Sequence, residues 1–153
     1  MMRKKPMLAY PVSDKPIDYS NPTFIQPKLD GVRCVIQCDV TSNDLVTWYK
    51  ITAYSRTGKE WKNINHILNE LKPFFEKYPN VILDGELYNH DLKDNFEKII
   101  SLVRKTKPTD EDRQEASELT QFHCYDIIDE TKTFEERINF IAQTVPRNHW
   151  VQW

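Results

Sequence analysis

Lys28-Leu29-Asp30-Gly31-Val32-Arg33 is the run around which this 153-residue chain is organised. It places a nucleophile, a carboxylate, a glycine and a phosphate-seeking cation side by side. Behind it, the alternation Val32, Cys34, Ile36, Cys38 reads as a half-buried strand. Ahead of it, Thr23 to Pro27 reads as short and extended. Residues 28–31 are therefore expected at a turn joining two strands. Taken alone, a Lys-x-Asp-Gly run is more simply a surface turn, because Asp-Gly is common there. An amine is a nucleophile only when deprotonated, which burial or a neighbouring cation promotes.

Three further runs change the balance. Val81-Ile82-Leu83 is an apolar run short enough for a buried strand, and Asp84-Gly85-Glu86-Leu87-Tyr88 continues it. A carboxylate at the end of a buried strand is costly unless it meets a cation, a metal or a ligand hydroxyl. Alternation puts Leu83, Gly85 and Leu87 on one face and Asp84, Glu86 and Tyr88 on the other. Ser55-Arg56-Thr57-Gly58 breaks the strand expected over Leu45 to Tyr54, and the donor fork of Arg56 suits phosphate. Tyr125-Asp126 lies in a strand candidate, Phe122 to Ile128, where an aromatic face can stack on a nucleobase. Each run alone also has an ordinary reading as a turn, a loop arginine or a core tyrosine.

The remaining chain reads as follows. Met1 to Pro22 is Pro-rich and polar, an irregular arm over a domain spanning 23–153. Asp39 to Asp44 reads as a loop. Asn63 to Tyr78 carries Ile64, Ile67, Leu68, Leu71 and Phe75 at helical spacing, with Pro73 expected to kink or break it. A second helix is expected over Asn95 to Lys105, capped by Asp94, with Phe96, Ile99, Ile100 and Val103 inward. Thr106 to Thr120 reads as a surface loop or short exposed helix. Thr133 and Glu136 form a capping box opening a helix to about Gln143, its inner face Phe134, Ile138 and Ile141. Trp150 to Trp153 reads as the start of a strand.

With 39% hydrophobic and 29% charged residues the chain suits a globular domain rather than a disordered one. A net charge of −2 gives no global pull toward polyanions, so any such contact must come from a local patch. Cys34, Cys38 and Cys124 are odd in number and make no CxxC pair, which points to buried free thiols in a reducing compartment. No apolar run is long enough for a membrane span, and no signal region is present. A cytoplasmic location is expected, or the host cytoplasm if the source is a virus. The four histidines show no metal-ligand spacing, and neither a Walker loop nor GxGxxG occurs.

The ordered runs Lys28-x-Asp-Gly-x-Arg33, Ser55-Arg56-x-Gly58, Asp84-Gly85-Glu86-Leu87 and Tyr125-Asp126 resemble the landmarks of the covalent nucleotidyltransferases. These are the ATP-dependent DNA ligases and the mRNA capping enzymes. Lys5-Pro6-Met7-Leu8-Ala9 and the Ser-Arg-x-Gly turn look more like the ATP-dependent DNA ligases, including those of bacteriophages. The resemblance implies an α+β fold of antiparallel β-sheets with flanking helices, the DNA ligase/mRNA capping enzyme nucleotidyltransferase (ATP-grasp-like) fold. It implies ATP and Mg2+ as cofactors and nicked double-stranded DNA as partner, with roles in replication, repair and recombination. Lys28 would attack the α-phosphorus of ATP and form lysine–AMP. AMP would then pass to the 5′-phosphate at the nick. Gln26, Lys28, Asp30, Arg33, Arg56, Glu86 and Tyr125 would bind the nucleotide. Of these, Glu86 would hold ribose or metal, Tyr125 would stack on adenine, and Gln26 would read the adenine edge. Glutamate is usual in the family where Gln26 stands.

The resemblance covers the front half to two-thirds of an adenylation domain. The later Glu-Gly and Lys-x-Lys motifs and an OB-fold domain are not found before Trp153. That departure implies a fragment, a truncated product or one part of a split enzyme completed by a separate chain. Two alternatives stay open: a GTP-dependent capping-type or RNA ligase nucleotidyltransferase, and a catalytically incomplete nucleotide- or partner-binding fragment.

Overall fold

The computed structural model of the chain describes residues 3–153. No helix or strand precedes Val32, so the segment from Arg3 to Gly31 is irregular throughout. The strand expected over Thr23 to Pro27 is not formed. Four prolines fall in the first 22 residues and a fifth is Pro27, and each removes a backbone donor that a ladder would need. The Lys28 run therefore sits at the end of an irregular segment, immediately before the first strand.

That strand, β1 (Val32–Ser42), pairs antiparallel with β2 (Thr47–Tyr54) in register from Val35↔Tyr54 to Ser42↔Thr47. The loop expected over Asp39 to Asp44 shrinks to Asn43–Val46, closed by the Asn43 side chain, which accepts from the amides of Leu45 and Val46. Asp39 to Ser42 stay in the strand because their backbones pair with Thr47–Lys50. Asp39, Thr41 and Ser42 are polar and Val40 is exposed at this end, where the hairpin overhangs the sheet: β3 (Leu83–Tyr88) pairs only with Val32–Ile36. On its other side β3 pairs antiparallel with β4 (Gln121–Ile127), with a register shift at Asp84/Gly85. A two-residue strand, β5 (Val151–Gln152), adds parallel to β4. The order is β2-β1-β3-β4-β5. These described residues form one mainly antiparallel sheet flanked by helices.

The sheet has two unlike faces. Cys34, Ile36 and Cys38 share one with Leu83, Leu87, Phe122 and Cys124, all buried in the core. Helix α1 (Asn65–Lys77) presents Ile67, Leu71, Phe74 and Phe75 to that core. Pro73 does not break α1; the helix runs through it. Helix α2 (Phe96–Val103) follows a 3-10 turn at His90–Leu92. Its expected inner face is corrected: Ile99, Leu102 and Val103 are buried, whereas Phe96 is exposed and Ile100 half-buried. Asn95, not Asp94, occupies the N-cap, without a side-chain cap bond. Helix α3 (Asp110–Leu119) fills the charged stretch and is opened by a capping box of Thr109 and Asp112. Helix α4 (Phe134–Thr144) carries the capping box expected at Thr133 and Glu136, with Ile141 buried. The three cysteines are buried free thiols, and burial pushes those of Cys34 and Cys124 up.

The opposite face carries Arg33, Asp84, Glu86, Tyr88, His123 and Tyr125. The irregular arm reaches this side of β1. The Lys4 amide donates to Gln37 Oε1 at 3.3 Å, and the Met7 carbonyl accepts from Arg33 at 3.0 Å.

Candidate active site

Three separate segments meet in a cleft of about 640 Å³. The run before β1 gives Lys28, Asp30 and Gly31, the turn after β2 gives Arg56, and β3 gives Glu86. Lys28 and Arg56 are exposed, and Glu86 is half-buried. Arg33 also lines the cleft, but its fork is occupied. Nε and Nη2 donate to the two oxygens of Asp84 at 2.7 and 2.6 Å. The Asp84 side chain is 2% exposed, so the pair supplies the cation that a carboxylate on a buried strand requires. Burial pushes Asp84 up, and the hydrogen bonds from Arg33 oppose that; the same bonds raise Arg33.

Glu86 has no such cation on it. Burial raises its carboxyl to about 7, against a hydrogen bond from Tyr125 and the more distant charge of Arg33. Tyr125 Oη donates to Glu86 Oε1 at 3.3 Å, and the Arg33 guanidinium lies 5.4 Å from the Tyr125 ring centre. Burial also pushes the Tyr125 hydroxyl well up, so it remains a donor. Gln26 does not line the cleft; its side-chain amide donates to the Tyr125 carbonyl at 2.8 Å. Gln26 and Tyr125 are thus brought to one place, and Tyr125 joins the cleft through Glu86.

The glycines at 31 and 58 act differently. Gly58 has φ of +100°, and only it permits the Ser55–Gly58 turn without strain. Gly31 has no positive φ and is not a turn glycine. It allows close approach: a Cβ there would strike the Leu87 carbonyl and lie 3.1 Å from Glu86 Oε2. The absence of a side chain at Gly31 is what lets Lys28 and Glu86 face one cleft.

Lys93 and Phe96 complete the cleft from the start of α2 and were not singled out by sequence reasoning. Lys93 is an exposed cation in the turn before α2, and Phe96, expected inward, opens the helix on its outer face. Another brace also went unread: Trp61 Nε1 donates to the Arg33 carbonyl at 3.2 Å. Asp126 pairs with Arg137 at 2.7 Å rather than facing the cleft. Among the described residues no group of three or more His, Cys, Asp or Glu side chains is placed to cage a metal. Nor is any helix long and apolar enough to cross a membrane.

A mainly antiparallel sheet with a lysine before its first strand and a glutamate on the neighbouring central strand defines a domain of the nucleotidyltransferase fold. A solved structure named Pmar-Lig_PreS3 has the same fold, at TM-score 0.51 and 21% identity over 82% of this chain. The chain spans 28% of that neighbour's length. No curated protein matches the chain. The family model described as "ATP dependent DNA ligase domain" matches residues 6–152, and the chain belongs to that family.

Proposed function

We propose that this chain is the lysine-bearing part of an ATP-dependent DNA ligase adenylation domain. The observation that carries the reading is the meeting of Lys28, Arg56 and Glu86, from three separate segments, in one cleft. In the first step Lys28 Nζ attacks the α-phosphorus of ATP. A nitrogen–phosphorus bond forms, the bond to pyrophosphate breaks, and the amine loses a proton. In the second, an oxygen of the 5′-phosphate at a DNA nick displaces the lysine from AMP. The 3′-hydroxyl then attacks that activated phosphate, and AMP leaves.

Each residue has a part its geometry suits. Arg56, exposed in its turn, is free to fork a phosphate. Arg33, held by Asp84, fixes the site more than it binds ligand. Tyr125 has its hydroxyl tied to Glu86 and one ring face beside Arg33, so a stacked base would meet the opposite face. Gln26 spends its amide on the Tyr125 carbonyl and keeps Oε1 as an acceptor. An acceptor there matches the exocyclic amine of adenine and mismatches the carbonyl of guanine, which favours ATP over GTP. The half-buried Glu86, raised to about 7, and Asp30 in the same cleft fit a Mg2+ site. Mg2+ needs only one or two carboxylates beside substrate phosphates and water. Bound there, the ion would offset charge on the phosphate oxygens.

Incubation with α-labelled ATP and Mg2+ is expected to label the protein, and Lys28→Ala to abolish the label. Label that survives this substitution moves the nucleophile elsewhere. Equal labelling by GTP removes the role given to Gln26.

A further inference from the structure

The Lys28 cleft is continuous with a second one of about 480 Å³, which shares Gly31, Arg33 and Arg56 with it. Helix α2 and its flanks wall both. Lys93 and Phe96 face the first cleft, Ile100 and Arg104 the second. Steps of four put Phe96, Ile100 and Arg104 on one helical stripe, and Lys93 stands in the turn just before it. Lys59, just beyond the Gly58 turn, faces Arg104's cleft from the opposite wall.

The charges along this trough are unevenly placed. Its two unpaired carboxylates, Asp30 and Glu86, stand at the Lys28 end. The far end carries Arg56, Lys59 and Arg104 and no carboxylate. Other cations of α2 and its flank are neutralised by α3: Lys98 pairs with Glu115, and Lys105 with Asp112. Lys59, Lys93 and Arg104 have no acidic partner among the described residues. In a chain of net charge −2 this row is a local feature that composition conceals.

We propose that the trough is a track for the phosphodiester backbone of the DNA strand whose 5′ end is presented to Lys28. Arg104 and Lys59 hold backbone phosphate at the far end and Lys93 at the near end, while Phe96 and Ile100 meet the sugars. Cations spaced along a groove with apolar surface between them suit a repeating anion rather than a single phosphate. The assignment rests on the nucleotidyl-transfer reading of the Lys28 cleft.

The test is fluorescence anisotropy of a labelled nicked duplex with a 5′-phosphate, titrated with the full chain over a range of KCl concentrations. Arg104→Glu and Lys59→Ala are each expected to weaken binding several-fold. Lys59→Ala should also make the slope of log K against log[salt] shallower by about 1. Arg104→Lys should keep the wild-type slope. The Lys59 side chain is exposed just beyond the turn, so its truncation is read without a folding defect. Failure of the wild-type chain to bind overturns the proposal, as does equal affinity in wild type and both weakening variants. Weakened pyrophosphate binding in Arg104→Glu, with DNA binding intact, gives the trough to the triphosphate tail and also overturns it. The readout needs no lysine labelling, so failure of the track and failure of the covalent step are separately visible.

Discussion

Arg33 holds four parts of the protein at once. Its fork binds Asp84 on β3, one of the same nitrogens donates to the arm at Met7, its guanidinium lies over Tyr125 on β4, and its carbonyl accepts from Trp61. Removing one partner of a buried pair leaves the other charge uncompensated, at about 3 kcal/mol or more. Asp84→Ala should therefore lower stability by about that amount in urea denaturation. Arg33→Lys, with Asp84 intact, should also lower stability, because an ammonium cannot make both bonds. At Gly58 the cost is conformational. Alanine at φ of +100° should destabilise by about 1–2 kcal/mol, and its methyl would also meet the Arg3 guanidinium 2.8 Å away. Lys28, Arg56 and Glu86 were legible because each stands within three residues of one of the chain's three glycines. The partners of those residues were not, since Arg33 and Asp84 are 51 positions apart and nothing local marks them as a pair.

Helix and strand boundaries follow backbone hydrogen bonding, which residue type reports only in part. The capping box at Thr133 was legible because Glu136 supplies the expected carboxamide or glutamate three positions on. The box at Thr109 was not, because aspartate stands in that place at Asp112, yet both reciprocal bonds form. Thr133→Ala should cost about 1 kcal/mol, read as a lower thermal midpoint. Helix α2 was placed but rotated, since Phe96 and Ile100 are apolar residues that face a cleft instead of the core. Helix α1 continues through Pro73, which lacks a donor and crowds the preceding turn. Pro73→Ala should stabilise the protein by about 1 kcal/mol or more, measured from the urea midpoint.

Two buried imidazoles tie part of the fold's stability to pH. Burial pushes His66 and His123 below the ordinary value of 6.5, His123 to about 4. Both are thus neutral in the fold, while the unfolded chain takes up protons near 6.5. At these two imidazoles the unfolded state binds more protons between these values, so their contribution is full above about 6.5 and falls as pH drops toward 4, while Glu86, raised to about 7, takes up a proton in the fold over the same range and works in the opposite sense. His66 Nε2 donates to the Thr120 carbonyl at 2.8 Å, a bond glutamine can imitate. His66→Gln should flatten the loss of stability between neutral and mildly acidic pH, followed by urea denaturation across that range. An unchanged slope would give the effect to His123 alone. The fold class was readable from alternation and apolar spacing along the chain. The sheet order β2-β1-β3-β4-β5 was not, because strand neighbours are chosen by pairings far apart in sequence.

That order bears on how the protein is made. As the chain leaves a ribosome, Lys28 emerges early, and the β1–β2 hairpin can close on local contacts soon after. Glu86 arrives only with β3. Tyr125 comes later still, and the Gln26 bond that anchors it spans 99 positions. On the reading proposed above, a nascent chain therefore displays Lys28 long before the Glu86–Tyr125 side of the site exists, and that side must wait until β4 has been synthesised.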